Sequence, residues 1–270
     1  MKPWLGPLWP HDSPFPWPEG FVGGACAAQL ELLRLSLSTS VAKPEGVSSD
    51  ISPAIIKRFE FSDANMKALE YERHVAGGGI PTRDQFHDWF NGLVWLTYPR
   101  TKLAINHLHV NDGFTEHFKQ RSPLRDAITL WDESGAVLLT SDPSLESALR
   151  EHDWQHVFIG LRAQWGENIL PFCFGHGLLD AMRNPHKGLC AKVKVVQADQ
   201  ALLDKVLNPL AISSVLDGVF LSIVQQLRSP RDLNPLPVMG VPGWFEENRA
   251  PGFYDDEAVF RKKPTRRASL

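Results

Sequence analysis

Polar side chains recur at helical spacing within residues 80–110, among aromatic residues that could otherwise form an ordinary buried helix pair. They make two stripes, with Arg83, His87 and Asn91 on a first predicted helix and Lys102, Asn106 and His109 on a second. If the stripes face each other, they form a basic wall that suits a phosphate or carboxylate, with His87 donating or accepting a proton. The alternative is that these side chains are helix caps, interhelical hydrogen bonds and a solvated face, because buried polar groups usually pair.

A second candidate is the acidic pair Asp132-Glu133, which follows an alternating run over residues 126–132. The alternation predicts a strand, Glu133-Ser134-Gly135 has turn chemistry, and residues 136–140 predict a returning strand, so we expect a β-hairpin. Acidic residues at such a strand end can reach a site, although a plain hairpin turn is the favoured explanation. Asp132 is also the predicted partner of His87, because Asp88, its neighbour on the helix, would point about 100° away.

The third candidate is Phe174-Gly175-His176-Gly177, at a predicted junction between a strand and a helix. Glycines on both sides of His176 would let a ligand approach the backbone, and the helix N-terminus favours an anion. The segment lacks the serine of a nucleophile elbow and the spacing of a dinucleotide-binding loop. A cap or a packed histidine is the alternative.

A metal site is a further hypothesis for the same histidines. His87-Asp88 resembles the central dipeptide of the His-Asp phosphohydrolases, which add His and Asp ligands from other helices. The sequence departs from that pattern, because it shows no upstream ligand helix at the expected separation and strands interrupt the helices. Metal ligands need a specific geometry, so the sequence leaves metal and cofactor undetermined.

These residues must be positioned by helices and strands. The sequence patterns predict an α-rich α+β fold with few, short strands, one hairpin, and Pro/Trp-rich extended termini packed on the surface. Helices are predicted over residues 20–37 and 64–76, from an N-cap at Thr82 to Tyr98, and from 100 to 109. Others cover residues 143–151, 175–182, 199–207 and 211–227, with strands over 169–174 and 191–197. Residues 38–52 are predicted to be a loop, and residues 54–61 suit either a strand or a short helix.

Composition sets the broad class of protein. The 270 residues are 43% hydrophobic and 22% charged, which suits one domain over residues 1–260 and a disordered basic tail over 261–270. The net charge of −3 argues against nucleic acid as a partner. Three scattered cysteines, no signal peptide and no apolar run of membrane length predict a cytoplasmic protein without a membrane contact. The oligomeric state is left open.

Four blocks of the sequence resemble a bacterial family catalogued as domain of unknown function 3025. They are GGGIPTRDQFHDWFNGLVWLTYPRTK, RSPLRDAITLWDESG, FCFGHGLLDAM, and PLPVMGVPGWFEEN with FYDDEAVFR, in this order over residues 53–260. The resemblance implies that the blocks share one domain, which includes the Pro/Trp-rich segment 235–245. It implies no activity, cofactor or ligand.

Together, the candidates predict one cleft. Its catalytic residues would be His87, Asp132 and His176, and its substrate-binding residues would be Arg83, Asn91, Lys102, Asn106 and Arg125. The predicted function is a hydrolase-type enzyme that acts on a small anionic substrate. The alternative is a non-catalytic ligand-binding, protein-binding or scaffold protein.

Overall fold

The computed structural model describes residues 58–61, 66–83, 85–111, 121–208 and 211–264. The predicted helix over residues 20–37, the predicted loop over 38–52 and the Pro/Trp-rich N-terminal segment lie outside this part of the chain. Within it the structure is α+β and rich in helix, as the sequence predicts.

A four-stranded mixed sheet holds the centre, in the order β4-β3-β5-β6. Its strands are β3 (Gly135–Thr140), β4 (Ile169–Cys173), β5 (Cys190–Gln197) and β6 (Asn234–Pro237). β3 is antiparallel to β4 and parallel to β5, and β6 is antiparallel to β5. Every residue of β3 and β4 is buried, which explains why both strands are continuous apolar runs. A separate parallel pair joins β1 (Arg58–Phe61) to β2 (Gly79–Thr82).

Four helices precede β3 in the described part of the chain. They are α1 (Ala68–Ala76), α2 (Phe86–Thr97), α3 (Pro99–Asn111) and α4 (Pro123–Ser134). The predicted break at Tyr98-Pro99 is confirmed, since Tyr98 leaves the helical region and Pro99 opens α3. The predicted N-cap at Thr82 is wrong, because Thr82 lies in β2 and donates its hydroxyl to the Ile80 carbonyl.

The predicted hairpin over residues 126–140 is also wrong in its first half, which forms α4. Ser122 caps that helix by accepting a hydrogen bond from the Arg125 amide, and Pro123 occupies the first helical position. Ala127, Ile128 and Trp131 are buried along one face of the helix. The short alternating run was therefore part of a helical pattern, and α4 continues into β3 at Gly135.

The remaining α-helices follow the predicted order. They are α5 (Leu145–Glu151), α6 (His176–Ala181), α7 (Gln200–Val206) and α8 (Ile212–Gln226). Asp199 caps α7 as predicted, by accepting from the Leu202 amide. Asp217 of α8 accepts hydrogen bonds from the amides of Arg100 and Thr101, which are unpaired within the first turn of α3.

An aromatic cluster joins these helices to the sheet. Trp131 of α4 stacks on Phe174, just after β4, with ring centroids 5.8 Å apart. Phe220 of α8 contacts both Phe174, at 5.1 Å, and Tyr98, at 5.0 Å. These large buried side chains fix the end of α4 against the end of β4, where the predicted site residues lie.

The Pro-rich segment near the C-terminus is part of the sheet, not a surface layer as predicted. Leu236 and Pro237 are buried in β6, whose register pairs Lys192 with Pro235 and Cys190 with Pro237. An edge strand accommodates prolines, since their missing amides need not bond to a second neighbour. Trp244 is 4% exposed and packs into the core.

The first residues of the predicted tail contact the fold. The Arg261 carbonyl accepts a hydrogen bond from the Trp154 indole, and Lys263 pairs with Glu151 of α5. Residues from 265 onwards lie beyond the described part. Within that part, no helix is long and apolar enough to cross a membrane.

Candidate active site

The register of β3 and β4 brings two segments of the candidate site together. Ala136, near the start of β3, pairs with Cys173, at the end of β4. Glu133 precedes that pair by three residues and His176 follows it by three, so both side chains lie at the same end of the sheet. Gly177 makes room for the Glu133 carboxylate, because a Cβ there would collide with Glu133 Oε2.

The glycine at 175 has a similar role. A Cβ on Gly175 would lie 2.5 Å from the amide nitrogens of Ser134 and Gly135. The Gly175 amide donates to the Gly135 carbonyl at 2.8 Å. The glycines around His176 thus admit the end of α4, whereas the sequence analysis expected them to admit a ligand.

His87, Glu133 and His176 form a compact cluster. His176 Nε2 lies 3.6 Å from Glu133 Oε1, and His87 Nε2 lies 4.0 Å from the same oxygen. The two imidazole rings meet edge to face with centroids 4.6 Å apart. The His176 side chain is 6% exposed, whereas those of His87 and Glu133 are 36% and 44% exposed. A bound molecule could therefore reach the latter two.

Asp132 lies behind this cluster in a buried ion pair. Its Oδ1 accepts a hydrogen bond from Lys102 Nζ at 2.6 Å, and its Oδ2 lies 3.8 Å from His176 Nδ1. Lys102 also donates to Asn91 Oδ1 at 2.9 Å, so the two predicted polar stripes do face each other. Burial alone would raise the pKa of Asp132, but Lys102 and His176 hold it below its usual value.

Arg83 and Asp88 form a second pair at the start of α2. The Arg83 guanidinium donates to both Asp88 oxygens, at 3.0 and 2.9 Å, and the Arg83 amide donates to Oδ2 at 2.7 Å. Gln85 donates to Oδ1 at 3.0 Å. These hydrogen bonds hold the Asp88 carboxylate at the start of α2. The carboxylate that lies near His87 is that of Glu133.

Helix α1 supplies a wall that the sequence analysis missed. Asn91 donates to the Tyr71 hydroxyl at 2.9 Å, and Asn106 donates to Glu72 Oε2 at 2.6 Å and to the Glu72 carbonyl at 2.9 Å. Burial raises the pKa of Glu72 to about 7, against the opposing effect of the Asn106 hydrogen bond. Near neutral pH this carboxyl is thus partly protonated.

These walls enclose a cavity of about 400 Å³, the size of a small-molecule site. One face of α4 lines it with Arg125, Thr129 and Asp132, at spacings of four and three residues, together with Glu133 and with Arg121, which lies two residues before the helix. The cavity thus has arginines at the start of this face and carboxylates at its end.

Burial also fixes the protonation of the inner histidines. It lowers the pKa of His176 to about 3, although Asp132 acts in the opposite direction. It lowers the pKa of His109, which lines the cavity from α3, to about 4. Burial and the adjacent Asp132 raise the pKa of Glu133. The imidazole rings of His176 and His109 are therefore neutral at physiological pH, so each ring has one nitrogen with a lone pair available.

The structure places most of the predicted site residues around one cavity. Those that line it are His87, Asp132, His176, Arg83, Asn91 and Arg125. Lys102 and Asn106 are 3% and 1% exposed and lie behind the lining, where they hold Asp132, Asn91 and Glu72. Direct substrate contact, which the sequence analysis assigned to these two, does not fit that position.

Several lining residues were outside the predicted set of site residues, among them Tyr71, Glu72 and Glu133. Glu133 was predicted as part of the candidate acidic pair with Asp132 but was not placed among the catalytic residues, and no motif marked Tyr71 or Glu72. The sequence signal for Glu133 as a site residue is its place beside Asp132. That signal points into the cavity because the two residues lie in the last turn of a helix and not in a hairpin turn.

A helix-rich α+β protein with an enclosed polar cavity is the class that this fold and site define. The chain belongs to the family described as "Protein of unknown function (DUF3025)", which matches residues 58–264. This confirms the resemblance seen in the four sequence blocks. No curated protein and no solved structure matches the chain.

Proposed function

We propose that this protein is a hydrolase-type enzyme that acts on a small anionic substrate in the cavity beside α4. The observation that carries the proposal is the cluster of His87, Glu133 and His176, which shares a cavity with Arg121 and Arg125. Imidazole and carboxylate groups at such separations can exchange protons with a bound molecule or activate water. Guanidinium groups bind phosphate or carboxylate with directed hydrogen bonds.

The arrangement along α4 also limits the shape of the substrate. A helix rises about 1.5 Å per residue, so the backbone positions of Arg125 and Glu133 are roughly 12 Å apart. The arginine side chain covers part of that distance. The favoured substrate therefore has its charged group a few bonds away from the bond that is cleaved.

A panel of small substrates tests the proposal. Phosphate monoesters, phosphodiesters and carboxylate-bearing esters would be incubated with the purified full chain, with product release followed by absorbance or NMR. We expect turnover of at least one anionic class, and a loss of at least about 100-fold in kcat in Glu133→Gln, since that variant removes a reacting group. Arg121→Ala should raise KM with little change in kcat.

Two surface variants provide matched controls. Arg150→Ala and Glu146→Gln change an exposed ion pair on α5 and should leave turnover unchanged. The alternative, a non-catalytic binding protein, predicts a different result. Inorganic phosphate or a dicarboxylate would bind in calorimetry, Arg121→Ala would weaken that binding, and no substrate of the panel would be cleaved.

A further inference from the structure

We propose that His87, Glu133 and His176 bind one divalent transition-metal ion, with Zn²⁺ as the best match, at the end of the cavity beside α6. The ligand atoms are the two Nε2 nitrogens and a Glu133 carboxylate oxygen. The binding site stands on its own geometry, and the role of the ion in activating water rests on the function proposed above.

The spacing of the three groups suits a metal ion better than hydrogen bonds between them. Glu133 Oε1 lies 3.6 Å from His176 Nε2 and 4.0 Å from His87 Nε2, too far for hydrogen bonds of about 2.7–3.2 Å. One ligand atom from each residue lies within 4.8 Å of the others. Ligands about 2.1 Å from a tetrahedral Zn²⁺ are roughly 3.4 Å apart, so a slight contraction would complete the site.

The environment of His176 also suits a metal ligand. This residue is 5% exposed, and its Nδ1 has no hydrogen-bond partner among the described residues. Asp132 Oδ2 lies 3.8 Å from that nitrogen, and Lys102 holds the other oxygen. A carboxylate beside Nδ1 favours the tautomer with its proton there, which leaves the Nε2 lone pair directed at the cluster.

The donor types select the ion. Two imidazoles and one carboxylate suit Zn²⁺ and other first-row transition metals, whereas Mg²⁺ and Ca²⁺ prefer oxygen ligands. Three protein ligands leave a coordination position for water, which is the pattern of catalytic rather than structural zinc. His87 and Glu133 line the cavity, so that position would face a bound substrate.

The chemistry follows from that open position. A bound water loses a proton to solvent at near-neutral pH, and the resulting hydroxide attacks the phosphorus or carbonyl carbon of the ester. The bond to the leaving oxygen breaks, and that oxygen takes a proton from solvent. The ion stays divalent throughout, so the step needs no oxidant or reductant.

Metal binding can be measured without a substrate. The full chain would be freed of metal with a chelator and titrated with Zn²⁺ by calorimetry, with elemental analysis after desalting and the visible spectrum of the Co²⁺-loaded protein. We expect one equivalent of Zn²⁺, a tetrahedral Co²⁺ spectrum, and a rise in Tm on loading. His87→Ala and Glu133→Gln, which change partly exposed side chains, should each abolish stoichiometric binding.

Two further variants separate a built site from surface binding. His107→Ala removes an exposed histidine of α3 and should leave the affinity unchanged. Asp132→Asn should weaken Zn²⁺ binding by about 10- to 100-fold, as loss of an outer carboxylate does elsewhere. Zn²⁺ bound equally well by wild type and His87→Ala would overturn the site.

The same samples distinguish this inference from the proposed function. If one equivalent of Zn²⁺ binds and is lost in His87→Ala, but no anionic ester is cleaved, the metal site stands and the hydrolase proposal fails. If the chelated protein cleaves its substrate as fast as the loaded protein, the hydrolase proposal stands and the role of the ion in activating water fails, while the Zn²⁺ titration alone decides the site.

Discussion

Replacing Glu72 by glutamine should stabilise the protein at neutral and alkaline pH but not at acidic pH. Glu72 lies in the cavity wall of α1, where burial raises its carboxyl pKa from an ordinary value of 4.5 to about 7. The folded state therefore keeps this proton over a pH range in which the unfolded chain has lost it. The free energy of unfolding must then fall as pH rises through that range.

The size of the effect follows from the pKa difference. A shift from 4.5 to about 7 corresponds to about 3 kcal/mol. The free energy of unfolding is lower by this full amount above pH 7 and is not reduced below pH 4.5. Glutamine keeps an acceptor for Asn106, which donates to Glu72 Oε2 at 2.6 Å, and it carries no charge. The variant should thus gain up to about 3 kcal/mol at pH 8, or roughly 6–12 °C in Tm.

Urea unfolding of wild type and Glu72→Gln at pH values from 4.5 to 8 measures the difference directly, because groups that both proteins share cancel. Glu257→Gln is the control of opposite sign, since the exposed Glu257 has its pKa lowered by Lys262. A difference between wild type and Glu72→Gln that stays constant with pH would refute the reasoning. The reasoning would also be refuted if the wild type became more stable relative to Glu72→Gln as pH rises.

Three further substitutions test the structure around the site. Lys102→Met should cost roughly 3–5 kcal/mol in urea unfolding, because it leaves the Asp132 carboxylate buried without its cation, and adding Asp132→Asn should restore most of it. Gly175→Ala should lower the free energy of unfolding by more than about 1 kcal/mol, since its Cβ would lie 2.5 Å from the Gly135 amide nitrogen; an unchanged Tm would contradict that close approach. Asp217→Ala should cost about 1–3 kcal/mol by leaving amides of α3 without an acceptor, whereas equal stability would mean that water replaces the carboxylate.

Sequence patterns predicted the elements whose limits are set by local chemistry. Pro99 marked the break between α2 and α3, and Asp199 marked the start of α7, because both act on neighbouring backbone. The error at α4 shows the limit of such patterns. Seven residues of alternating polarity suit a strand as well as a helix, and the Ser122-Pro123 start signal that decides the matter lies outside that run.

The candidate site was predicted in its residue types and as one cleft, but the contacts between those residues were not predictable. His87, Asp132 and His176 come from three separate segments, and their proximity depends on the register that pairs Ala136 with Cys173. Register is a tertiary property, since one strand pairs in many ways until a core selects one. The burial of Lys102 is also a tertiary property. It places the ammonium group behind the cavity lining, where it supports the wall.

The direct passage from α4 into β3 has a kinetic consequence. No linking residue separates Ser134 from Gly135, so the end of the helix cannot swing without shearing the central strand. Glu133 is thus tied to the fully buried strand β3, and core strands open with free energies close to that of global unfolding. The wall formed by α1 ends at Ala76 and is followed by Gly77 and Gly78, and the φ of 106° at Gly78 is of the kind that a hinge can use. If the protein is the hydrolase proposed above, exchange of molecules with the cavity should be timed by α1, while Glu133 keeps its place beside β3.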